Sequence, residues 1–326
     1  MITFKDIEDA YHRISHLVVK TPLLTSDRLN DALGFRLFIK AEPMQRVGAF
    51  KFRGACNALL SLPPEAKSVI AFSSGNHAQA VALVARLTGR EATIIMPEDA
   101  PQMKIEATRS YGAEVILYDR YRESREEIGD QLAKEKQAVL VKPYDDEAVI
   151  CGQGTVGYEL ISQIKEQEIS PNRLYCCAGG GGLISGTAIA LHQYHPDLPI
   201  FASEPKDFDD IARSLEAGEK CVNDKDARSL CDAIITPTPG DITFPIMQRH
   251  LSGGVGIHDD DCLRAMQSCW RHLKLVVEPG GVVGVASALA LQGQEDVRGK
   301  DIIAIASGGN VDDDIFAKAL AMTGAL

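Results

Sequence analysis

The stretch Leu174-Tyr175-Cys176-Cys177-Ala178-Gly179-Gly180-Gly181-Gly182-Leu183-Ile184-Ser185 holds the fold in miniature. Arg173 to Ala178 is short, apolar after its first residue and without alternation, the pattern of a strand buried on both faces. A helical pattern starts at Leu183. Between them stand four residues without Cβ, whose N–H groups can converge on an anion at the positive end of the helix dipole. A strand that feeds a helix in this way returns to a parallel neighbour by a right-handed crossover.

Working outward, the same alternation recurs. An amphipathic start (Phe4, Ile7, Ile14, Leu17) precedes the strand Phe35 to Lys40 and a helical stretch from Phe50 to Leu60. Strands Ser68 to Phe72 and Ala92 to Met96 each lead into helices, one from Asn76 stopped by Gly89, the next opening at Pro101 and stopped by Gly112. Glu114 to Tyr118, a helix over Ser124 to Lys136 and Ala138 to Lys142 complete that half. The second half adds strand Ile200 to Ser203, helices around Asp209 to Leu215 and Asp259 to Lys274, and strand Leu275 to Val277. It closes with helix Val282 to Leu291, strand Asp301 to Ala306 and a helix after Asp312. The expected class is α/β with open parallel sheets. Glu219 to Gly240, rich in charge, Pro and Thr, is the expected irregular surface excursion.

With 326 residues the length allows two domains, and 34 Lys+Arg against 45 Asp+Glu give a net charge of −11, which argues against a nucleic-acid surface. No apolar stretch reaches the roughly 18 residues of a membrane span, and the N-terminus lacks a signal-peptide core. Eight cysteines without CxxC pairing read as reduced thiols of a cytoplasmic protein.

In open α/β sheets ligands bind beyond the carboxyl ends of strands, so the residues after each strand are the candidates. Gly179 to Gly182 reads as a phosphate cradle; the alternative is a tight turn where helix and strand pack closely, though four glycines exceed what a turn requires. Gly180-x-Gly182-x-x-Ser185 is one glycine short of a dinucleotide fingerprint, and Glu204 stands where a ribose-binding acid would, so a nucleotide-binding oxidoreductase is a rival reading. Lys51 lies between Phe50 and Phe52 at a helix start, where burial and the helix dipole lower a lysine pKa toward Schiff-base and proton-transfer chemistry; taken alone it reads as a solvated surface lysine. Ser73-Ser74-Gly75-Asn76-His77 puts hydroxyls, amides and a side-chain amide at a helix N-terminus, a site for a carboxylate or simply a cap. Ser307-Gly308-Gly309-Asn310 has the same strand–loop–helix setting.

Taken together, in this order and across essentially the whole chain, these motifs resemble the fold-type-II pyridoxal-phosphate enzymes (tryptophan synthase β-like), in the serine/threonine dehydratase and serine racemase branch. The resemblance implies a large cofactor-binding domain from residues 1–52 and 147–326, a small mobile domain from 53–146, and the cofactor in the cleft between two parallel-rich sheets. It implies that Lys51 holds pyridoxal phosphate as a Schiff base with Phe50 beside the ring, and that Asn76 bonds the phenolic oxygen. Gly179, Gly180, Gly181, Gly182 and Leu183 would hold the phosphate, and Ser307 would face the pyridine nitrogen. Ser73, Ser74, Asn76 and His77 would bind the substrate α-carboxylate. Ser74 would be the second acid/base in a racemase, and Arg125 resembles a small-domain arginine that reaches the substrate. Glu204, the Phe208 carbonyl and Asp210 resemble a divalent-cation loop suited to Mg²⁺, or to Ca²⁺ or Mn²⁺; this reading removes Glu204 as a ribose acid.

Three positions depart from the commonest pattern of the branch: Ala49 before Phe-Lys, Ala233 after Cys231-Asp232, and Glu278-Pro279-Gly280-Gly281. The last two lie near the substrate in such enzymes, and the Glu-Pro-Gly-Gly form looks closer to dehydratases of 3-hydroxyaspartate. The implied activity is therefore an ammonia-lyase (dehydratase) that removes water from a β-hydroxy amino acid, 3-hydroxyaspartate first. L-threonine/L-serine dehydratase or serine racemase are the alternatives. A cytoplasmic homodimer is implied, with no nucleic-acid or membrane partner. With Leu326 soon after the Ser307 motif, no C-terminal regulatory domain is expected.

Overall fold

The apolar runs form strands that pair in two sheets. The computed structural model describes residues 1–73, 75–100, 102–119 and 122–324, and the backbone alone at 103, 125 and 126. In chain order the strands are β1 (Leu23–Leu24), β2 (Arg36–Ala41), β3 (Ser68–Phe72), β4 (Glu91–Pro97), β5 (Glu114–Tyr118), β6 (Val139–Leu140), β7 (Pro171–Cys177), β8 (Ile200–Pro205), β9 (Gly253–Ile257) and β10 (Asp301–Ala306). Six of them form the order β1-β2-β10-β7-β8-β9, and four form β5-β4-β3-β6. Apart from the antiparallel pair β1–β2, all pairings are parallel. β10 lies inside the larger sheet with every residue buried, which is why its Ile-Ile-Ala-Ile run shows no polar alternation.

The 20-residue helix Glu147–Glu166 packs against helices Lys51–Ser61 and Gly182–His192. The approach is close because glycines face each other: a Cβ on Gly154 would lie 2.9 Å from the Gly186 backbone. Beneath the site a fully buried charge network joins strand to helix. Lys40 on β2 donates to Glu159 Oε2 at 2.6 Å, to the Thr21 carbonyl at 2.8 Å and to Gln163 at 3.0 Å. Arg53 forks onto Glu42 (2.8 and 2.9 Å) and onto Glu159 (2.8 and 2.9 Å). Two cations meet two anions with nearly every donor used, the arrangement a water-free interior requires.

Two expectations are corrected. Leu275 to Val277 is buried at its ends but forms no strand. The backbone after it turns to the loop beyond β10, where Glu278 N–H donates to the Gly308 carbonyl at 3.0 Å, so no ladder partner remains. The sixth strand of the large sheet is instead β9, a Gly-Gly-Val-Gly-Ile segment. The excursion from 219 to 240 is irregular, yet its part from Asp232 to Pro237 folds back to line a cavity, with Cys231 fully buried behind it. All eight cysteines are free thiols. No helix among the described residues is long and apolar enough to cross a membrane.

Candidate active site

The carboxyl ends of β3, β7 and β10 open on one cavity of about 270 Å³. Its wall includes Phe50, Lys51, Ser73, Asn76, His77, Gly179 to Leu183 and Ser307. The structure thus brings together every expected cofactor residue, and three of the four expected carboxylate-binding ones. Ser74 lies outside the described residues, as does the side chain of Arg125.

Lys51 is the first residue of helix Lys51–Ser61, with its Nζ donating to the Pro143 carbonyl at 2.7 Å and lying over the Phe50 ring. Burial pushes its pKa down to about 8, and the nearby Cys177 and Glu278 oppose this only in part. Near neutral pH a useful fraction of this amine is unprotonated, which an ordinary surface lysine does not offer.

Opposite the lysine, β7 ends in the glycine loop. Gly181 takes φ +89°, and a Cβ on Gly180 would be driven into the Tyr144 ring, so neither position accepts a side chain. Thr243 Oγ1 anchors the loop by donating to the Gly180 carbonyl at 2.6 Å. Among the described residues the N–H groups of Gly180, Gly181, Gly182 and Leu183 donate to no protein acceptor. Orphan amides at the start of helix Gly182–His192, beside a cavity, fit a phosphate.

At the end of β3, the start of helix Asn76–Leu87 lies on the cavity wall. Asn76 is held on both sides: its Nδ2 donates to Glu278 Oε1 at 2.6 Å, and its Oδ1 accepts from Asn310 at 2.8 Å. Glu278 is buried, and burial first, then the charge of Asp232, pushes its pKa up to about 7. The His77 ring contacts the Val141 carbonyl at 3.0 Å, and burial pushes its pKa down to about 3. The imidazole is therefore neutral. Ser307 is buried beside Cys177 at the end of β10.

The expected cation loop lies apart, after β8. Glu204 accepts from the amides of Ile211 (3.0 Å) and Ala212 (2.8 Å), at the start of helix Asp210–Ala217. Asp210 is buried, accepts from Asn223 Nδ2 at 2.5 Å, and keeps Oδ2 without a partner. Burial pushes Asp210 up to about 6, and burial with the Asp210 charge pushes Glu204 well above the usual range. Among the described residues no group of three or more His, Cys, Asp or Glu side chains gathers as a metal site, and Glu204 and Asp210 are the two buried carboxylates of the expected loop. Hard oxygen donors with one unpartnered, desolvated carboxylate oxygen fit a divalent cation.

Sequence reading missed Tyr144 and Gln153 on the cavity wall. Neither follows a strand end by a recognisable motif; only the Cβ-free faces of Gly180 and Gly182, which they fill, mark them.

Residues 14–308 match a family model described as pyridoxal-phosphate dependent enzyme. L-threo-3-hydroxyaspartate ammonia-lyase of Saccharomyces cerevisiae is 44% identical over 317 residues, 97% of this chain and 95% of that protein. Serine racemase of Schizosaccharomyces pombe is 38% identical over 318 residues, 97% of this chain and 96% of that one. The crystal structure of a T.th. threonine deaminase superposes with a TM-score of 0.89 at 38% identity, covering 95% of this chain and 99% of the other. A buried, pKa-lowered lysine facing a loop of unpaired amides is what this family's cofactor demands, and on that agreement of sequence with geometry the chain belongs to the pyridoxal-phosphate dependent enzymes.

Proposed function

We propose that this chain is an ammonia-lyase that eliminates water from a β-hydroxy amino acid, with 3-hydroxyaspartate as the favoured substrate. The observation that supports this most is Lys51, unprotonated in part near neutral pH, set between the glycine loop and the start of helix Asn76–Leu87. Relatives whose names carry the 3-hydroxyaspartate activity supply the substrate.

Bound pyridoxal phosphate supplies an electron sink for the charge left at Cα when its proton departs. The chain's own residues supply the rest. The amides of Gly180 to Leu183 would hold the phosphate, and Ser307 would face the ring nitrogen. Because serine is not an acid, it would leave that nitrogen little positive charge. Ser73 and the first amides of helix Asn76–Leu87 hold the α-carboxylate, while Asn76, fixed by Glu278 and Asn310, orients the ring side. Lys51 Nζ would take the Cα proton from its own face, and the β-hydroxyl would leave as water with a proton drawn from solvent. The fragment 53–146 carries β3 to β6 and acts as the small domain, with 1–52 and 147–326 as the large one. The family resemblance also brings a cytoplasmic homodimer into this reading.

Serine racemase is the second reading, favoured by relatives of that name at 37–40% identity. It asks Ser74 to act on the opposite face of Cα. Ammonia and keto-acid release, measured over threo and erythro 3-hydroxyaspartate, L-threonine, L-serine and D-serine, separates the two. Preference for one hydroxyaspartate isomer by tenfold or more is expected. Inversion of serine faster than ammonia release would put the racemase first.

Glu204, the Phe208 carbonyl and Asp210 hold Mg²⁺ in this reading. A cation at 100 times its Kd adds about 2.7 kcal/mol of stability. Saturating Mg²⁺ therefore raises Tm of the wild type measurably and leaves Asp210→Asn unmoved; an equal rise in both removes the site.

A further inference from the structure

The cavity wall carries two acids, Asp232 and Glu278, and among its described residues Lys51 is the only Lys or Arg. Lys51 is committed to the cofactor, and the His77 ring is neutral. A substrate whose side chain ends in a carboxylate would thus meet repulsion where its second charge must go. One hydrogen bond behind the wall stands the answering cation. Lys104, on helix Gln102–Ser110 of the four-stranded half, donates to Asp232 Oδ2 at 2.7 Å from the other half of the molecule. The lysine is buried, 8% exposed, whereas the Asp232 side chain is 51% exposed and free to swing to water. Burial opposes the Lys104 charge, but Asp232, with Glu278 and Asp312, outweighs it and holds the amine protonated.

We infer that Lys104 is the specificity residue for a second carboxylate on the substrate, with Asp232 as the placeholder that the incoming carboxylate displaces. The inference rests on the proposed preference for a dicarboxylic β-hydroxy amino acid and names the group that reads it. Exchange of one carboxylate for another on a buried ammonium keeps the charge paired at every stage. The displaced Asp232, already half in water, loses little. A monocarboxylic substrate leaves the Lys104–Asp232 bridge closed and gains nothing from it.

The test compares L-aspartate with L-alanine, which share Cα and α-carboxylate and lack the leaving group, by titrating the visible band of the cofactor-loaded protein. Wild type is expected to bind aspartate about 10- to 100-fold more tightly than alanine, the worth of one charge-assisted bond. Lys104→Met should bring that ratio to near one while Lys104→Arg keeps it. Should Lys104→Met fail to load cofactor, Asp232→Asn decides: with the competing charge gone the ratio should rise about threefold or more. Equal affinities in wild type, a preference kept in Lys104→Met, or a ratio unmoved in Asp232→Asn each overturn the assignment. Ammonia release from 3-hydroxyaspartate is scored separately. Preference through Lys104 without ammonia release sinks the lyase reading alone, and release with the preference intact in Lys104→Met sinks this one alone.

Discussion

Lys51→Ala abolishes the visible band of the cofactor-loaded protein and lowers kcat by about 10³-fold or more, since both the covalent anchor and the Cα base are gone. Retained turnover at a tenth of wild type would falsify the mechanism. The wild-type lysine carries a second signature. Capture of an aldehyde needs the free amine, and the fraction unprotonated grows about tenfold per pH unit below the pKa. With that pKa lowered to about 8 by burial, the rate of band growth on adding cofactor to the cofactor-free protein should rise from pH 6 to 8 and level off above. A rate still climbing steeply at pH 10 would mean that Lys51 titrates like a surface lysine.

Glu159→Ala should be the most damaging change away from the cavity. It leaves Lys40 and Arg53, both fully buried, to share Glu42 alone. Removing one member of a buried ion network costs about 3–5 kcal/mol, because the orphaned charge stays out of water. For a chain of this size that corresponds to a fall in Tm of about 5 °C or more. Thermal unfolding of the loaded protein reads the effect directly, and a shift below about 1 °C would show that the network does not stabilise the fold. Glu159→Gln, which keeps the shape and two polar ends, should recover part of the loss.

How much was legible in the chain depended on whether the signal was local. β3, β5 and β10 run over Ser68–Phe72, Glu114–Tyr118 and Asp301–Ala306, as the apolar runs between turn residues predict. β9 was not legible because three of its five residues are glycine, so it is a strand by its neighbour β8 rather than by its own side chains. Leu275 to Val277 erred the other way: its apolar residues report burial, and burial is not the same as a ladder. The glycine loop was readable since its chemistry is written in consecutive residues, whereas Lys51 stood out only in the company of the other strand-end motifs. The setting of the His77 ring was not legible, because which atom of a side chain faces the cavity depends on Val141, 64 residues away.

By itself the sequence determined the alternation of strand and helix, the parallel sheets and the anion loop, all of which follow from side-chain patterns within a dozen residues; Lys51 was marked only by the resemblance to a family whose motifs span the whole chain. Only the tertiary structure decided which charges meet. Arg53 finds Glu159 across 106 residues and Lys104 finds Asp232 across 128, and no local pattern marks either pair. The first lies in the dry interior and holds the fold. The second bridges the two halves at the cavity rim, where water can replace one partner and a substrate can take its place.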